Sequence, residues 1–95
     1  MTTQKENPTH ETHPDILKRL QRASGHLATV IAMMKEGRPC AEIAQQLHAV
    51  ERAITTAKKT LIHDHLDHCL SQPPSGGGTD ARNWLGEIKD MAKYL

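Results

Sequence analysis

The sequence lacks every feature that would place the chain in a membrane or direct it out of the cell. It has no apolar run of about 18 residues, no charged-then-apolar leader and no lipidation signal. We therefore expect a cytoplasmic protein with no membrane partner. Cysteine is also scarce, with 2 residues. In a cytosolic protein such a pair is more often reduced, whether structural, reactive or metal-binding, than joined in a structural disulfide.

Signs of β-strands, of internal repeats and of a helix-turn-helix are absent as well. The formal net charge of +1 decides little, because a nucleic-acid partner requires a local basic face and not an excess of charge over the whole chain. The sequence also reveals no substrate cleft or oxyanion arrangement, which argues against an enzyme and against a small organic substrate. A helical chain of 95 residues remains, and it buries only a modest core without partners.

Helical periodicity covers most of the chain. We predict a single all-α domain over residues 13–95, preceded by a flexible polar arm over residues 1–12. Pro14 suits the first turn of a helix, and Gly37 suits the end of that helix. The three predicted helices cover residues 14–36, 40–70 and 80–95, and a linker rich in proline and glycine covers residues 71–78.

Apolar residues in the first two helices recur at alternating steps of four and three, the period of a stripe that packs against another helix. The first stripe consists of Ile16, Leu20, Ala23, Leu27, Val30 and Met34. The second stripe consists of Ile43, Leu47, Val50, Ile54, Ala57 and Leu61. One side of the short third helix carries Trp84, Leu85, Ile88, Met91 and Leu95.

The second helix carries both cysteines, Cys40 and Cys69, and His65 lies one turn before the second of them. A rise of about 1.5 Å per residue separates the two thiols by roughly 44 Å, so they cannot meet within one chain. All three side chains fall within about 40° of one another on the same edge of the apolar stripe. If they form one site, two copies of the helix must lie antiparallel.

Two thiolates and an imidazole are a soft ligand set. Such a set suits Cu(I), can hold Zn(II) and, with a fourth nitrogen, can hold Ni(II). The alternative is that Cys40 and Cys69 are small buried hydrophobic residues and that His65 is an interface histidine. The spacing alone does not choose between these interpretations.

A basic face is the second feature that indicates a function. It lies opposite the apolar stripe of the first helix, and the second helix has a similar outward strip. Repeated across a symmetric assembly, these strips would form a cationic surface for DNA phosphates, whereas for a single helix a solvated polar face is the better explanation. The predicted DNA-binding residues are Lys18, Arg19, Arg22, His26, Arg52 and Lys59.

Three short motifs carry a resemblance to a known family: RASGH at Arg22 to His26, GRPC at Gly37 to Cys40, and HDHLDHC at His63 to Cys69. Together with the ungapped segment over residues 16–70 and the last helix, they are similar to the all-helical repressors that include copper-sensing CsoR, nickel- and cobalt-sensing RcnR and InrS, and formaldehyde-sensing FrmR. The resemblance implies three-helix protomers that form antiparallel dimers with a four-helix core. Dimers pair into homotetramers that bind operator DNA and release it when a ligand occupies the intersubunit site.

The resemblance also implies roles for individual residues. The sensor ligands of the copper branch fall on Cys40, His65 and Cys69, and the glutamate that hydrogen-bonds the metal-bound histidine falls on Glu87. Cysteine at the last ligand position favours Cu(I) over the nickel- and cobalt-sensing RcnR branch, which has histidine there, and over the formaldehyde branch, which usually has an acid; InrS-type nickel sensors share the Cys–His–Cys set. The expected function is therefore a repressor that is released from its operator by Cu(I).

Two alternatives stay open within the same family. A sensor of Ni(II) or Co(II) would recruit an additional N-terminal histidine, for which the chain offers His10 and His13. A persulfide-sensing dithiol repressor would use Cys40 and Cys69 without metal. Since such a thiol switch needs no imidazole, His65 favours a metal.

Overall fold

The computed structural model describes residues 13–95 and consists of three α-helices with two connections. They are α1 (His13–Lys35), α2 (Cys40–Ser71) and α3 (Thr79–Ala92). The described residues contain no strand, so the predicted all-α class is confirmed. The arm predicted over residues 1–12 lies outside the described residues. None of the described helices is both long enough and apolar enough to cross a membrane.

The start of α2 at Cys40 matches the predicted bound, and the other helix ends differ from it by one to three residues. The largest difference is at α3, which ends at Ala92 and not at Leu95. The amides of Tyr94 and Leu95 bond the carbonyls of Met91 and Ala92, each at 3.1 Å and each three residues back. These tighter bonds satisfy carbonyls that the end of an α-helix leaves unpaired.

Gly37 terminates α1 in a Schellman motif. Its φ of 74° is left-handed, its N–H donates to the carbonyl of Met34 at 3.1 Å, and the N–H of Arg38 donates to the carbonyl of Met33 at 3.0 Å. The chain therefore reverses within four residues, and α2 runs back antiparallel along α1.

Replacing Gly37 by alanine should destabilise the protein, because a side chain with a Cβ resists this left-handed conformation. We expect the free energy of unfolding to fall by about 1–2 kcal/mol, measured by urea denaturation at a fixed protein concentration. Gly25→Ala is the matched control. Gly25 lies within α1 with nothing within 4 Å of a Cβ, so alanine there should raise the stability by roughly 0.5–1 kcal/mol. Equal changes in the free energy of unfolding for Gly37→Ala and Gly25→Ala would contradict the left-handed conformation assigned to Gly37.

Only alternate members of the predicted stripes are fully buried. The buried residues are Ile16, Ala23 and Val30 of α1, Val50 and Ala57 of α2, and, outside the stripes, Ile62 and Cys69 of α2. Among the other stripe members Ile43 is half-buried, and the rest are exposed: Leu20, Leu27 and Met34 of α1 and Leu47, Ile54 and Leu61 of α2. A two-helix layer covers only one side of each stripe, which leaves the other side exposed.

The third helix packs on α2 and makes no comparable contact with α1 among the described residues. None of the α3 side chains is fully buried. Trp84, which is half-buried, donates its indole N–H to the backbone carbonyl of Cys69 at 2.7 Å. This bond anchors α3 beside the last turns of α2, where the candidate ligands lie.

Candidate metal centre

Two turns of α2 and one turn of α3 bring His65, Cys69 and Glu87 together. One ligand atom from each side chain lies within 4.8 Å of the other two. His65 and Cys69 are four residues apart and therefore share a face of α2, while α3 supplies the carboxylate. The chain thus forms a compact group of imidazole, thiol and carboxylate at one end of the molecule.

Glu87 orients the imidazole. Its Oε2 lies 2.9 Å from Nε2 of His65, and the two groups form a hydrogen bond. When Nε2 carries the proton and donates it to the carboxylate, the lone pair is on Nδ1, which is then the nitrogen for a metal ion. A histidine held in this way is typical of metal ligands, so the residues fit the soft ion that the sequence predicts.

Cys69 is buried, with 7% of its surface exposed. Burial raises the pKa of its thiol, and the negative charge of Glu87 and a hydrogen bond to that carboxylate raise the pKa further. The thiol is therefore protonated at neutral pH when no metal is bound. Metal binding requires the thiolate, so it must release this proton.

Glu87→Gln should lower the pKa of Cys69, because the substitution removes a negative charge that disfavours the thiolate. The pKa should stay above its ordinary value, since burial is the largest cause and is retained. The measurement is the pH dependence of Cys69 alkylation by iodoacetamide in metal-free protein that carries Cys40→Ser. Asp90→Asn removes the same charge from the next turn of α3 and serves as control. Identical alkylation profiles for Glu87→Gln and the control would contradict the role of Glu87.

Cys40 does not join this group within one chain. It is exposed at the first residue of α2, at the opposite end of the helix from Cys69. His13, the first residue of α1, is half-buried and lies outside the group. His10 falls outside the described residues. One chain therefore brings together His65, Cys69 and Glu87, and Cys40 lies apart from them.

Sequence reasoning missed the polar role of Trp84, which it placed only on the apolar side of the third helix. The carbonyl of Cys69 accepts the indole N–H at 2.7 Å and also the backbone N–H of Gln72 at 3.3 Å. A signal was available, because a half-buried tryptophan generally finds a partner for its N–H. The partner itself could not be read from the sequence, since the linker leaves the position of α3 open.

The predicted DNA-binding residues are distributed over two helices. Arg19, Arg22 and His26 line one surface groove between α1 and α2, whose floor includes Ala23 and Ala53. Lys18 lies beside Arg19 and Arg22 in an adjoining depression that also includes Asp15. Arg52 and Lys59 are exposed on α2 and do not line either depression.

His26 has a structural contact that the sequence did not predict. Its Nε2 lies 2.6 Å from Oε1 of Gln46, so the half-buried imidazole donates a hydrogen bond from α1 to α2. This bond ties the two helices together beneath the groove. The guanidinium groups that line the groove are those of Arg19 and Arg22.

A family described as metal-sensitive transcriptional repressors has a model that matches residues 12–95. The copper-sensing transcriptional repressor CsoR of Mycobacterium ulcerans is 32% identical over 78 residues, which are 82% of this chain and 65% of that protein. The chain thus spans slightly less than two thirds of the length of this relative.

A second relative is covered more fully. The copper-sensing transcriptional repressor RicR of Mycobacterium tuberculosis is 31% identical over 70 residues, 74% of this chain and 73% of that protein. Among solved structures, the nickel-responsive transcriptional regulator InrS superposes with a TM-score of 0.76 at 28% identity, covering 92% of this chain and 96% of that one.

Proposed function

The chain belongs to the family of metal-sensitive transcriptional repressors, and we propose that it binds operator DNA without metal and releases it when Cu(I) occupies a site shared by two copies of the chain. The observation that carries the proposal is the group of His65, Cys69 and Glu87. It offers a soft thiol beside an oriented imidazole, but it has only two of the three soft ligands.

The exposed side of α2 supports an antiparallel dimer. Leu47, Ile54 and Leu61 are 43%, 44% and 37% exposed, and their spacing of seven residues is that of a helix-pairing seam. The seam is centred on Ile54. The midpoint of the sequence between Cys40 and Cys69 falls at nearly the same place, between residues 54 and 55. A twofold axis at this point would bury the seam against its copy and bring Cys40 of a second copy to His65 and Cys69. Because hydrophobicity and ligand chemistry give the same centre independently, we infer that the site is completed between two chains.

An apolar groove supports the same arrangement. Leu27 of α1 and Leu47, Val50 and Ile54 of α2 line a groove that is open along the hairpin. A helix of a second copy would fill it and cover apolar surface that a single chain leaves in water. Two such helical hairpins form a four-helix core, and we propose that dimers of this kind pair into tetramers on DNA.

Three soft ligands favour Cu(I). Two thiolates and one imidazole match its preference for few and soft ligands, and two relatives are copper-sensing repressors. A bound ion would supply bonds that link the two chains. This chain contributes the orientation of His65 through Glu87, which also joins the site to α3.

The groove of Arg19 and Arg22 supports contact with DNA phosphates. Its floor of small side chains lets a phosphate approach both guanidinium groups, and an assembly of several copies repeats the groove along one surface. Arg52, Lys59 and Lys18 would extend the cationic area. The proposal uses backbone contacts and DNA shape, since the fold has no helix-turn-helix among its described helices.

Arg22→Ala should weaken operator binding through the loss of phosphate contacts. The decrease should be similar for operator and unrelated DNA, and the slope of log affinity against log salt should fall by about 1 for each copy that contacts a phosphate. Fluorescence anisotropy at several salt concentrations measures both quantities. Lys93→Ala removes a charge that pairs with Asp90 on α3 and serves as control. If the salt slope of Arg22→Ala equals that of the wild-type protein, this surface does not contact the DNA phosphates as proposed.

Titration of the protein–operator complex with buffered Cu(I) tests the proposed function directly. Metal should release the DNA, and by linkage the operator should lower the affinity for Cu(I) by the same factor. Operator affinity that persists with the metal site filled would overturn the proposal.

A sensor of Ni(II) or Co(II) is the second candidate function, and the structural similarity to the nickel-responsive regulator InrS favours Ni(II). That function would add a nitrogen from His10 or His13. X-ray absorption separates the two, because Cu(I) should show a trigonal, sulfur-rich site and Ni(II) a planar site with several nitrogens. The variant His65→Ala distinguishes both metal sensors from a persulfide-sensing dithiol repressor. A metal sensor should lose its response without the imidazole, and the dithiol repressor should keep it.

A further inference from the structure

Helix α3 is held beside α2 by side chains that end on the metal-site residues. Trp84 donates to the carbonyl of Cys69 at 2.7 Å, and Glu87 pairs with His65 at 2.9 Å. No α3 side chain is fully buried, so apolar packing within one chain fixes this helix only weakly. These two bonds therefore have a large share in setting the position of α3.

The Trp84 bond acts on the backbone of a candidate ligand. Cys69 lies in the last turn of α2, where carbonyls lack partners within the helix. An indole has a donor and no acceptor, so the bond requires this carbonyl to stay in place. A change in the position of Cys69 when its sulfur binds a metal ion would thus reach α3 through Trp84.

The two bonds also form a pair. Trp84 and Glu87 are three residues apart on α3, and His65 and Cys69 are four apart on α2, so the bonds connect neighbouring turns of both helices. Together they fix the rotation of α3 as well as its distance from α2.

We propose that Trp84 is a positioning residue whose indole N–H couples the metal site at Cys69 to the orientation of α3. This inference rests on the proposed function and assigns its regulation. Loss of the donor should leave metal binding in place and weaken the release of DNA.

The test compares Trp84→Phe with the wild-type protein. Phenylalanine keeps an aromatic ring and removes the N–H, and Tyr94→Phe is the control because it removes a polar group from an exposed ring just beyond α3. In metal-free Trp84→Phe, the amides of α3 should exchange with solvent about fivefold faster, the effect expected from one hydrogen bond. The exchange rates of α1 and α2 should not change.

The second measurement concerns coupling. Trp84→Phe should bind Cu(I) with wild-type stoichiometry and with an affinity within about threefold of wild type, since the indole is not a ligand. The ratio of operator affinities without and with Cu(I) should fall by at least about fivefold. Tyr94→Phe should match the wild-type protein in both respects.

A third measurement uses the fluorescence of Trp84 and needs no variant of this residue. Trp84 is the only tryptophan in the sequence, so the tryptophan emission should change as Cu(I) fills the site. The change should be lost in Cys69→Ser. A constant emission throughout a titration that fills the site would overturn the proposal, even if Trp84→Phe does not fold.

The remaining outcomes are distinct. Wild-type exchange rates in Trp84→Phe, full DNA release by Trp84→Phe, or loss of its Cu(I) binding would each overturn the coupling role. If the wild-type protein itself keeps its operator when loaded with Cu(I), the proposed function fails and the coupling role fails with it. Failure of the proposed function is thus seen in the wild-type protein, whereas failure of the coupling role alone is seen only in Trp84→Phe.

Discussion

Mixing chains that carry Cys40→Ser with chains that carry Cys69→Ser should restore metal sites that neither variant has alone. In an antiparallel dimer each site takes Cys40 from one chain and His65 and Cys69 from the other. A mixed dimer therefore has one site with all of its ligands and one site that lacks both thiols. An equimolar mixture that pairs at random should recover about a quarter of the wild-type sites, because half of the dimers are mixed.

Each variant alone should bind Cu(I) much more weakly than the wild-type protein. Losing a group that only orients a ligand costs about 10–100-fold in metal affinity, and losing a ligand itself should cost more. The measurement is competition with a chromophoric Cu(I) chelator after the two chains have been unfolded together and refolded. Stoichiometry is the decisive quantity, since it separates a few intact sites from many weak ones.

The matched control mixes Cys69→Ser with His65→Ala. Both substitutions lie at the same end of α2, so every site in a mixed dimer lacks one ligand, and this mixture should recover nothing. Recovery in both mixtures would show that the missing ligands can be replaced. Recovery in neither mixture would contradict the site between two chains.

The helices were predictable because their signals are local. Gly37 and the linker over residues 71–78 mark helix ends through backbone chemistry that does not depend on tertiary contacts. The periodicity of the first two helices likewise identified the apolar stripes. Local signals therefore account for the all-α class and for helix bounds within a few residues.

The division of each stripe was not predictable. The sequence placed Leu61 in the apolar stripe of α2, but Leu61 is 37% exposed, and its neighbour Ile62, which is not in that stripe, is buried. Periodicity shows which side of a helix is apolar, but it does not show which part of that side packs within the chain and which part faces another copy. That division depends on how α1 lies against α2.

The site was predictable only in part for a similar reason. His65 and Cys69 share a face of one helix, which spacing alone establishes. The position of Glu87 depended on a resemblance, because a flexible linker leaves the register of α3 open, and the structure places its carboxylate 2.9 Å from His65. The hydrogen-bond partner of Trp84 and the raised pKa of Cys69 depend on this docking, and the sequence does not identify them.

Ile54→Glu should dissociate the dimer, because the proposed twofold axis passes beside this residue. The substitution removes two apolar side chains from the seam, each worth about 1.5–3 kcal/mol when buried, so the dimer dissociation constant should rise at least about 100-fold. Two glutamates facing each other at the axis would add repulsion. Sedimentation velocity over a range of protein concentrations measures the change.

The same variant should lose metal affinity although no ligand has been altered. Ile54 is roughly 22 Å along the helix from Cys69, and dimer formation is what connects the two positions. Cu(I) binding should return as the protein concentration is raised, since mass action restores the dimer. Ala49→Glu is the control, because Ala49 is exposed on the side of α2 away from the seam, and it should change neither quantity. Full Cu(I) affinity in a monomeric Ile54→Glu protein would mean that one chain supplies every ligand, and the shared site would then be wrong.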